Sequence, residues 1–442
     1  KKYMLPFFYS DGTFEITVPP GKTKVTLERG FEHEIVSETC DLKPGETKEI
    51  SLESGRIVNM KELGWISGDT HVHWAKNWWN ENEDIKLLAL VQRAEDVRVA
   101  NNLTLRGTKG QSGKGDHITP NQFPMGPVPG HDKGDYVIQM CEEYRNQPFY
   151  GHINLLNIKE LIMPVSTGEI MGPDALDWPN NYSVMLEARA QGGIVIPAHG
   201  APSATPAHIA LGVIDSLDQL EPKAYYDVLN AGFRLPLTDG SDHPARVVGC
   251  ARAYVKVDGD FTYQGWIDGI RAKASFATSG PLMFLTVNSV EIGGEVQVRK
   301  GDTITINARA VSRYDVGRLQ IVSNGEIIKD VRISKSEGEI ELKLPVEKSC
   351  WIAARCSASD NWNAIRGPNV AHTSAIYIVV DGQPIGNPDT ARSFAKRVRK
   401  HGKHIGAVAK FANDEQRQEA VDVMMRGAKV FEELVAVYEG KK

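Results

Sequence analysis

The sequence predicts a multidomain protein in which an α/β domain lies between two strand-rich regions and is followed by a helical tail. Short runs of alternating apolar and polar residues, divided by turn motifs, indicate antiparallel strands in both flanking regions. Between them, apolar strands alternate with helix-length segments, which is typical of parallel strands in an open sheet or a closed barrel. We expect a β-sandwich at 1–62, the α/β domain at 63–283, a second sandwich at 284–382 and the tail at 383–442.

The first region carries two similar turns, Pro20–Thr23 and Pro44–Thr47, and each of them opens a new strand. Before the first turn, Phe14, Ile16 and Val18 alternate with polar residues. The region holds no cluster of titratable side chains in sequence. We therefore interpret it as a scaffold or docking module.

The α/β region contains short apolar runs, such as Gly193–Pro197 and Arg234–Thr238, that are typical of buried strands. A stretch rich in glycine and proline, Arg106–Asp135, interrupts the alternation. Because a loop of this length inside a compact domain is usually functional or disordered, we place it over the mouth of an active site. The helix-length segments are Ile85–Ala94, Ser183–Gln191, Ala207–Leu211, Ala224–Ala231 and Tyr263–Ala272.

The strand pattern returns at Leu282–Val287 and continues to Tyr377–Val380, with Ser323–Gly325 as a hairpin signal between two runs. The tail is helical, and Asn413 is its expected N-cap with Gln416 three residues later. A basic segment at 392–403 precedes it, and we interpret this segment as a solvated helix face rather than a site for an anionic partner. One apolar face of the last helix consists of Val421, Met424, Ala428, Phe431, Val435 and Tyr438.

Composition narrows the classes of function. Hydrophobic residues make up 41% and charged residues 24% of the 442 residues, which excludes wholesale disorder, and no apolar run is long enough to span a membrane. A net charge of -5 without a dominant basic block disfavours nucleic acid as a partner. Five cysteines without a CxxC pair disfavour a disulfide scaffold and a thiolate zinc site. A single disulfide between Cys350 and Cys356 remains an alternative.

Two histidines, His71 and His73, stand two residues apart in the stretch GDTHVH at 68–73, directly after an apolar strand start. Side chains two apart in a strand point to the same face, so both imidazoles would converge on one point. Converging imidazoles are what a transition-metal ion requires. Taken alone, this motif is equally compatible with a pair of ordinary surface histidines.

Further histidines and acids follow other strands of the α/β region. His199 ends one apolar strand, Asp242 and His243 follow the next, and Glu143 precedes His152 by nine residues. In alternating αβ repeats, catalytic groups lie at the carboxyl ends of the strands. Three strand ends that each deliver an imidazole or a carboxylate therefore predict a metal site. The sequence has no G-x-S-x-G elbow, P-loop or dinucleotide fingerprint, which disfavours serine hydrolases and nucleotide-dependent enzymes.

The order of these motifs resembles the PHP (polymerase and histidinol phosphatase) superfamily, and most closely its CehA/McbA-like branch of metal-dependent hydrolases. The likeness covers about residues 1–438, because members of this family also carry strand-rich flanks and a helical tail. The stretches that carry it are GDTHVH at 68–73, RAED at 93–96, GHINLL at 151–156, TSGPL at 278–282 and AHTS at 371–374.

The resemblance implies a distorted (β/α)7 PHP-type barrel that holds divalent metal at its carboxyl end. Glu143 is preferred over Glu142 because the second carboxylate matches the family position. The superfamily usually has Asp-x-His where this chain has Asp242 and His243 adjacent, so Asp239 is an alternative ligand. Carried over by motif, the implied ligands are His71, His73, Glu143, His152, His199, Asp242 and His243.

The chain departs from the superfamily at 101–103, where Asn-Asn-Leu stands in place of the common Thr-Asp-His. The loss of one carboxylate and one imidazole removes about one metal's set of ligands. We therefore expect one or two ions, with zinc first and manganese or iron as alternatives. The departure also leaves open a decayed barrel that binds a glycan or a protein.

The expected activity is hydrolysis by a metal-activated water, with Asp242 or Glu143 as proton acceptor and Asp69 orienting His71. The resemblance to the branch favours carboxylic esters, carbamates or amides, and the wider superfamily favours phosphate esters. The sequence begins without a methionine, and members of the CehA/McbA-like branch often carry export signals. Together these suggest an exported bacterial protein whose signal peptide has been removed. Candidate substrate-binding residues are Arg252, His117, Arg106, Lys114 and Trp78, the last with its neighbours Trp74 and Trp79 as an apolar or sugar-stacking wall.

Overall fold

The computed structural model describes residues 7–74, 81–104, 124–200, 204–218, 221–363 and 367–440. In the first region, strands β1 (Gly21–Leu27) and β2 (Val36–Leu42) pair as an antiparallel ribbon. Phe14 and Ile16 lie outside any strand and are 48% and 55% exposed. Where we expected a sandwich, the described residues 7–62 form this ribbon, because their apolar side chains do not gather on one face to bury a second sheet.

One large mixed sheet runs through the α/β region. Its strands there are β3 (Trp65–Val72), β4 (Val99–Thr104), β5 (Gly126–Pro127), β6 (Val137–Gln147), β7 (Gly151–Leu156), β8 (Ser166–Gly168), β9 (Ile194–Pro197), β12 (Arg252–Lys256) and β13 (Ser275–Thr278). Strands β10 (Leu217–Asp218) and β11 (Leu237–Thr238) form a separate parallel pair. The helices are α1 (Glu81–Glu95), α2 (Asn181–Ala190), α3 (Thr205–Ala210), α4 (Pro222–Asn230) and α5 (Tyr263–Arg271), with a 3₁₀ turn at Glu169–Met171.

The topology brings several strand ends to one edge of this sheet. Strands β3, β4 and β6 are parallel, and β7 is antiparallel to both β6 and β9. Strand β9 therefore runs in the same direction as β3. Backbone hydrogen bonds join the segments that flank β10 and β11 to the large sheet, from Asp215 N to Val195 O (2.9 Å) and from His73 N to His243 O (2.9 Å). The alternation of strands and helices is as expected, but the sheet is mixed rather than wholly parallel.

The C-terminal strands form two packed layers. A four-stranded antiparallel sheet contains β14 (Leu282–Val287), β15 (Val290–Glu291), β17 (Thr303–Val311) and β20 (Glu337–Pro345). The other layer extends the large sheet through β16 (Glu295–Val298), β18 (Gly317–Ser323), β19 (Glu326–Ile333), β21 (Cys350–Asn363), β22 (Gly367–Thr373) and β23 (Ile376–Val380). Buried Leu285, Ile306 and Ile352 belong to their shared core.

The sheet continues across the domain boundary that we expected near residue 283, because β13 pairs with β22 and places Phe276 opposite Thr373. The tail consists of helices α6 (Pro388–Val408) and α7 (Asp414–Tyr438). The Asn413 side chain accepts a hydrogen bond from Gln416 N at 2.9 Å and caps α7. Gly427 of α7 lies against Ala207 of α3, where a Cβ atom would come within 2.7 Å of the Ala207 Cα. This close contact ties the tail to the α/β region.

Among the described residues, no helix has both the length and the apolar character needed to cross a membrane. All five cysteines are free and buried, and Cys350 and Cys356 are not bridged.

Candidate metal centre

Two imidazoles face each other at the end of β3, that of His71 in the strand and that of His73 directly after it. The Nε2 atoms of His71 and His73 lie 3.0 Å apart, and the His71 side chain is fully buried. The His73 Nδ1 lies 2.9 Å from Leu103 O, which can only accept a hydrogen bond. This nitrogen therefore carries the proton, and the His73 Nε2 keeps a free lone pair.

Strand β6 contributes Glu143, whose carboxylate lies among four imidazoles. Its neighbour Glu142 points to the opposite face and accepts a hydrogen bond from Ile162 N at 2.9 Å. The pleat of the strand thus gives the two adjacent acids different surroundings. The carboxylate of Glu143 is 3.0 Å from His152 Nδ1, 3.3 Å from His73 Nε2, 3.5 Å from His199 Nε2 and 3.8 Å from His71 Nε2.

His199 and Asp242 follow strands β9 and β11, and both have left-handed backbones, with φ of 55° and 52°. Non-glycine residues adopt this region rarely, and such strain concentrates at functional sites. Asp242 Oδ1 lies 3.3 Å from His71 Nε2, and Asp242 Oδ2 lies 3.8 Å from His199 Nδ1. The strained turns therefore direct both side chains towards the histidines of β3.

Three overlapping groups in the described chain could hold a metal ion. Within each group, the candidate ligand atoms lie within 4.8 Å of one another. Imidazole nitrogen combined with carboxylate oxygen suits zinc, manganese or iron. The groups are His71–His199–Asp242, His71–His73–Glu143 and Glu143–His152–His199.

Burial and neighbouring charges shift the pKa values of these groups in different directions. Burial would raise the pKa of Glu143, but hydrogen bonds from three imidazoles outweigh it and hold that pKa well below its ordinary value. Burial lowers the pKa of His71 well below its ordinary value, and the nearby imidazoles lower it further. Burial raises the pKa of Asp242, although His73 and His199 partly oppose the rise. The centre thus favours an ionised Glu143 beside a neutral His71, the protonation states that a metal ion requires.

The structure places His243 outside these three groups of described residues. Its ring stacks on Trp74 with centroids 4.6 Å apart, and its Nδ1 lies 3.2 Å from Arg246 O. Because the chain turns through a left-handed residue at Asp242, the adjacent side chains diverge. Asp239 also belongs to none of the groups, and its pKa is raised well above the ordinary value by burial and by the Asp218 carboxylate. His243 therefore stays a predicted ligand that none of these groups includes.

Asp69 acts on the backbone rather than on an imidazole. Its Oδ1 accepts hydrogen bonds from His71 N at 3.0 Å and from Ser241 N at 2.9 Å, and its Oδ2 accepts one from Gly249 N at 2.7 Å. The side chain is fully buried. Asp69 therefore fixes the end of β3 against the turn that carries Asp242, and it is a positioning residue instead of a catalytic one.

Arg252 has a structural role instead of the expected substrate contact. Its side chain is fully buried, stacks over Phe31 at 4.0 Å, and donates hydrogen bonds to Gly249 O and Glu95 O at 2.6 and 2.9 Å. The guanidinium thus joins three segments of the backbone and is not available to a substrate. The other candidate substrate-binding residues, His117, Arg106, Lys114 and Trp78, lie outside the described residues.

The segment Asn101–Leu103 stabilises β3. Asn101 Nδ2 donates to Asp69 O at 2.9 Å, and Asn102 Oδ1 accepts a hydrogen bond from Trp74 N at 2.8 Å. Together with the contact from Leu103 O to His73, they fix the strand that carries the two histidines. These side chains support the metal centre without belonging to it.

Sequence reasoning missed two residues of this site. Asn154 Nδ2 lies 3.2 Å from His71 Nδ1, and Arg145 Nε lies 3.9 Å from Glu143 Oε2. Asn154 follows His152 by two residues and Arg145 follows Glu143 by two, so each shares a strand face with a predicted ligand. Extending the period-two argument along β6 and β7 would have found both.

The comparisons with known proteins are sparse. No family model matches the chain, and no curated protein matches it. A crystal structure from Bacteroides vulgatus, described as a two-domain protein containing a predicted PHP-like metal-dependent phosphoesterase, aligns at 10% identity with a TM-score of 0.37. The alignment covers 70% of this chain and 96% of that one. A likeness this low assigns neither family nor activity, so the functional argument rests on the geometry of the site.

Proposed function

We propose that the chain is a metal-dependent hydrolase with a centre of six residues on one edge of the large sheet. The observation that carries this proposal is the convergence of four imidazoles and two carboxylates, brought together from five separate segments of the chain. The three candidate groups share members, which fits one or two ions. The six residues are His71, His73, Glu143, His152, His199 and Asp242.

The chemistry of these residues fits a divalent transition metal. Buried polar atoms normally have hydrogen-bond partners, yet the buried His152 Nε2 has none among the described residues. Because His152 Nδ1 lies 3.0 Å from the Glu143 carboxylate, which only accepts hydrogen bonds, the His152 Nε2 keeps its lone pair. A buried lone pair without a partner is costly unless a cation takes it up. Zinc, manganese and iron all accept this mixture of ligands.

Glu143 and Asp242 have different roles in the proposed reaction. A divalent ion held by these residues would supply Lewis acidity and would lower the pKa of water towards about 7. Glu143, whose side chain is 3% exposed, stays ionised and holds the imidazoles in place. The Asp242 side chain is 28% exposed and carries a raised pKa, so its Oδ2 is the better group to accept a proton from the attacking water.

The substrate that we propose is a carboxylic ester, carbamate or amide. Phosphate ester hydrolysis is the second candidate, and the Arg145 guanidinium beside Glu143 favours it because arginine pairs well with phosphoryl oxygens. A binding module without turnover is the remaining alternative.

The proposal is tested by removing metal with a chelator, restoring zinc, manganese or iron separately, and assaying p-nitrophenyl acetate, a carbamate and p-nitrophenyl phosphate. We expect turnover of at least one substrate that is lost with the metal and regained on reconstitution. The double substitution His71→Ala/His73→Ala should abolish it, and His404→Ala in the exposed part of α6 should not. Reconstituted protein that binds metal without hydrolysing any of these substrates would favour the binding module.

A further inference from the structure

Arg145 lies on the face of the sheet that carries the candidate metal centre. In the register of β6 and β7, Arg145 is directly opposite His152, and Glu143 is directly opposite Asn154. Side chains directly opposite each other in an antiparallel pair share a face, and residues two apart in a strand share it too. Glu143, His152 and Asn154 already lie at the centre, because each contacts an imidazole. The Arg145 side chain therefore lies beside the centre.

The guanidinium of Arg145 is incompletely partnered by protein. Its Nε lies 3.9 Å from Glu143 Oε2, which is too long for a hydrogen bond. This Nε is buried and has no hydrogen-bond partner among the described residues, while the side chain as a whole is 19% exposed. Glu143 is closer to His152 and His73 than to Arg145, so it is not a dedicated counter-ion.

The structural arginine of the same region differs from Arg145. Arg252 is fully buried and donates hydrogen bonds to the carbonyl oxygens of Gly249 and Glu95. Arg145 makes no comparable bond to a carbonyl in the described chain, yet it keeps a permanent charge at the rim of the centre. Burying a positive charge in such a position costs free energy unless an anion pairs with it.

We propose that Arg145 binds an oxyanion group of the substrate, a carboxylate or a phosphoryl group, next to the metal centre. The planar guanidinium matches both groups with two parallel hydrogen bonds, and it is directly opposite the candidate ligand His152 on the same face of the sheet. This inference rests on the proposed hydrolase function and deepens it, because it selects anionic substrates over neutral ones of the same bond type.

The test is a calorimetric titration of the full-length protein with inorganic phosphate and, separately, with acetate, both with and without added zinc. The proteins are the wild type, Arg145→Lys, Arg145→Gln and the charge-matched control Arg318→Gln, whose exposed side chain lies on β18 of the C-terminal region. We expect Arg145→Gln to weaken binding of one of the anions roughly ten- to a hundredfold, as for a charged hydrogen bond. Arg145→Lys should lose less, the control nothing, and metal content should not change.

Two results would overturn the proposal. Anion binding that is absent from the wild type, or equal in the wild type and Arg145→Gln, would show that no oxyanion contacts this guanidinium. Loss of metal in Arg145→Gln would show that the residue serves to hold Glu143. The preferred anion separates a carboxylate from a phosphoryl group. A wild type without metal or turnover would refute the hydrolase proposal. In that case, anion titration of the metal-free proteins would still show whether Arg145 binds an oxyanion.

Discussion

The Nε2 atoms of His71 and His73 lie 3.0 Å apart, while the second ring nitrogen of each histidine has its own polar neighbour. For His73 this neighbour is Leu103 O at 2.9 Å, and for His71 it is the Asn154 side-chain amide at 3.2 Å. Partners of this kind fix the orientation of a ligating imidazole and its tautomer. The sheet thus supplies both rings with support from strands β4 and β7.

We predict that Asn154→Ala weakens metal binding about 10- to 100-fold, because the His71 ring loses the group that orients it. Titration of the metal-free protein with zinc in competition with a chromophoric chelator measures this change. Asn146→Ala is the control, since Asn146 Nδ2 bonds Thr167 and Asp177 on the other face of β6. That variant should lose stability and keep its zinc affinity. Equal zinc affinity in wild type and Asn154→Ala would refute the positioning role.

Gly240 packs directly against His71 of the candidate metal centre. A Cβ atom at this position would come within 2.7 Å of the His71 backbone N and 2.6 Å of Thr70 Oγ1. We predict that Gly240→Ala lowers the free energy of unfolding by about 1–3 kcal/mol, the usual cost of overpacking, and also weakens metal binding because His71 is displaced. Denaturant unfolding and zinc titration measure the two effects. An unchanged zinc affinity would mean that His71 tolerates the shift.

Two buried histidines outside the centre predict sensitivity to acid. Burial lowers the pKa of His208 to about 3 and that of His372 to about 4, from 6.5 in the unfolded chain. The unfolded state therefore binds protons that the folded state does not, and the free energy of unfolding should fall as the pH drops below about 6.5. Each group contributes at most about 1.4 kcal/mol per pH unit.

His208→Phe isolates one of these contributions. Both ring nitrogens of His208 lack hydrogen-bond partners in the described chain, and the ring stacks on Tyr182, so phenylalanine is an acceptable replacement. Unfolding measured between pH 4 and pH 7 should show a shallower slope than in the wild type. His404→Phe, at an exposed position of α6, should leave the slope unchanged. Parallel profiles for wild type and His208→Phe would contradict the assignment.

Glu142 predicts the opposite dependence on pH. Burial raises its pKa from 4.5 to about 8, so the folded state holds a proton that the unfolded state releases. Its contribution to stability is complete below about pH 4.5 and is lost as the pH rises through about 8. Glu142→Gln, which can still accept the bond from Ile162 N, should be more stable than the wild type at pH 8 and nearly equal to it at pH 4. Equal unfolding free energies at pH 8 would show that Glu142 is ionised in the fold.

The candidate site could be predicted largely from local patterns. An HxH pair in a strand and a histidine or aspartate at a strand end are short-range signals, and they led to His71, His73, His199 and Asp242. The surroundings of His243 and Arg252 depend on geometry that no local pattern encodes. His243 diverges because Asp242 has a left-handed backbone, and the burial of Arg252 depends on its distant partners Glu95 and Phe31.

The fold was predictable at the level of strand-rich and α/β regions, but not at the level of sheet pairing. The alternation at Phe14–Val18 is a strand pattern in isolation, yet no face of these residues is buried in the structure. The pairing of β13 with β22 joins segments almost a hundred residues apart, so the expected boundary near residue 283 falls inside a continuous sheet. Local periodicity in the sequence does not encode contacts between residues this far apart in the chain.

The most direct test of the account is the metal content of the wild type, Glu143→Gln and Glu142→Gln after reconstitution and dialysis, measured by plasma mass spectrometry. The two substituted residues are neighbours on β6, but only Glu143 faces the imidazoles. We predict one or two ions in the wild type and in Glu142→Gln, and a loss of at least one ion in Glu143→Gln. A wild type without metal, or a Glu143→Gln variant that keeps its full complement, would contradict the metal centre.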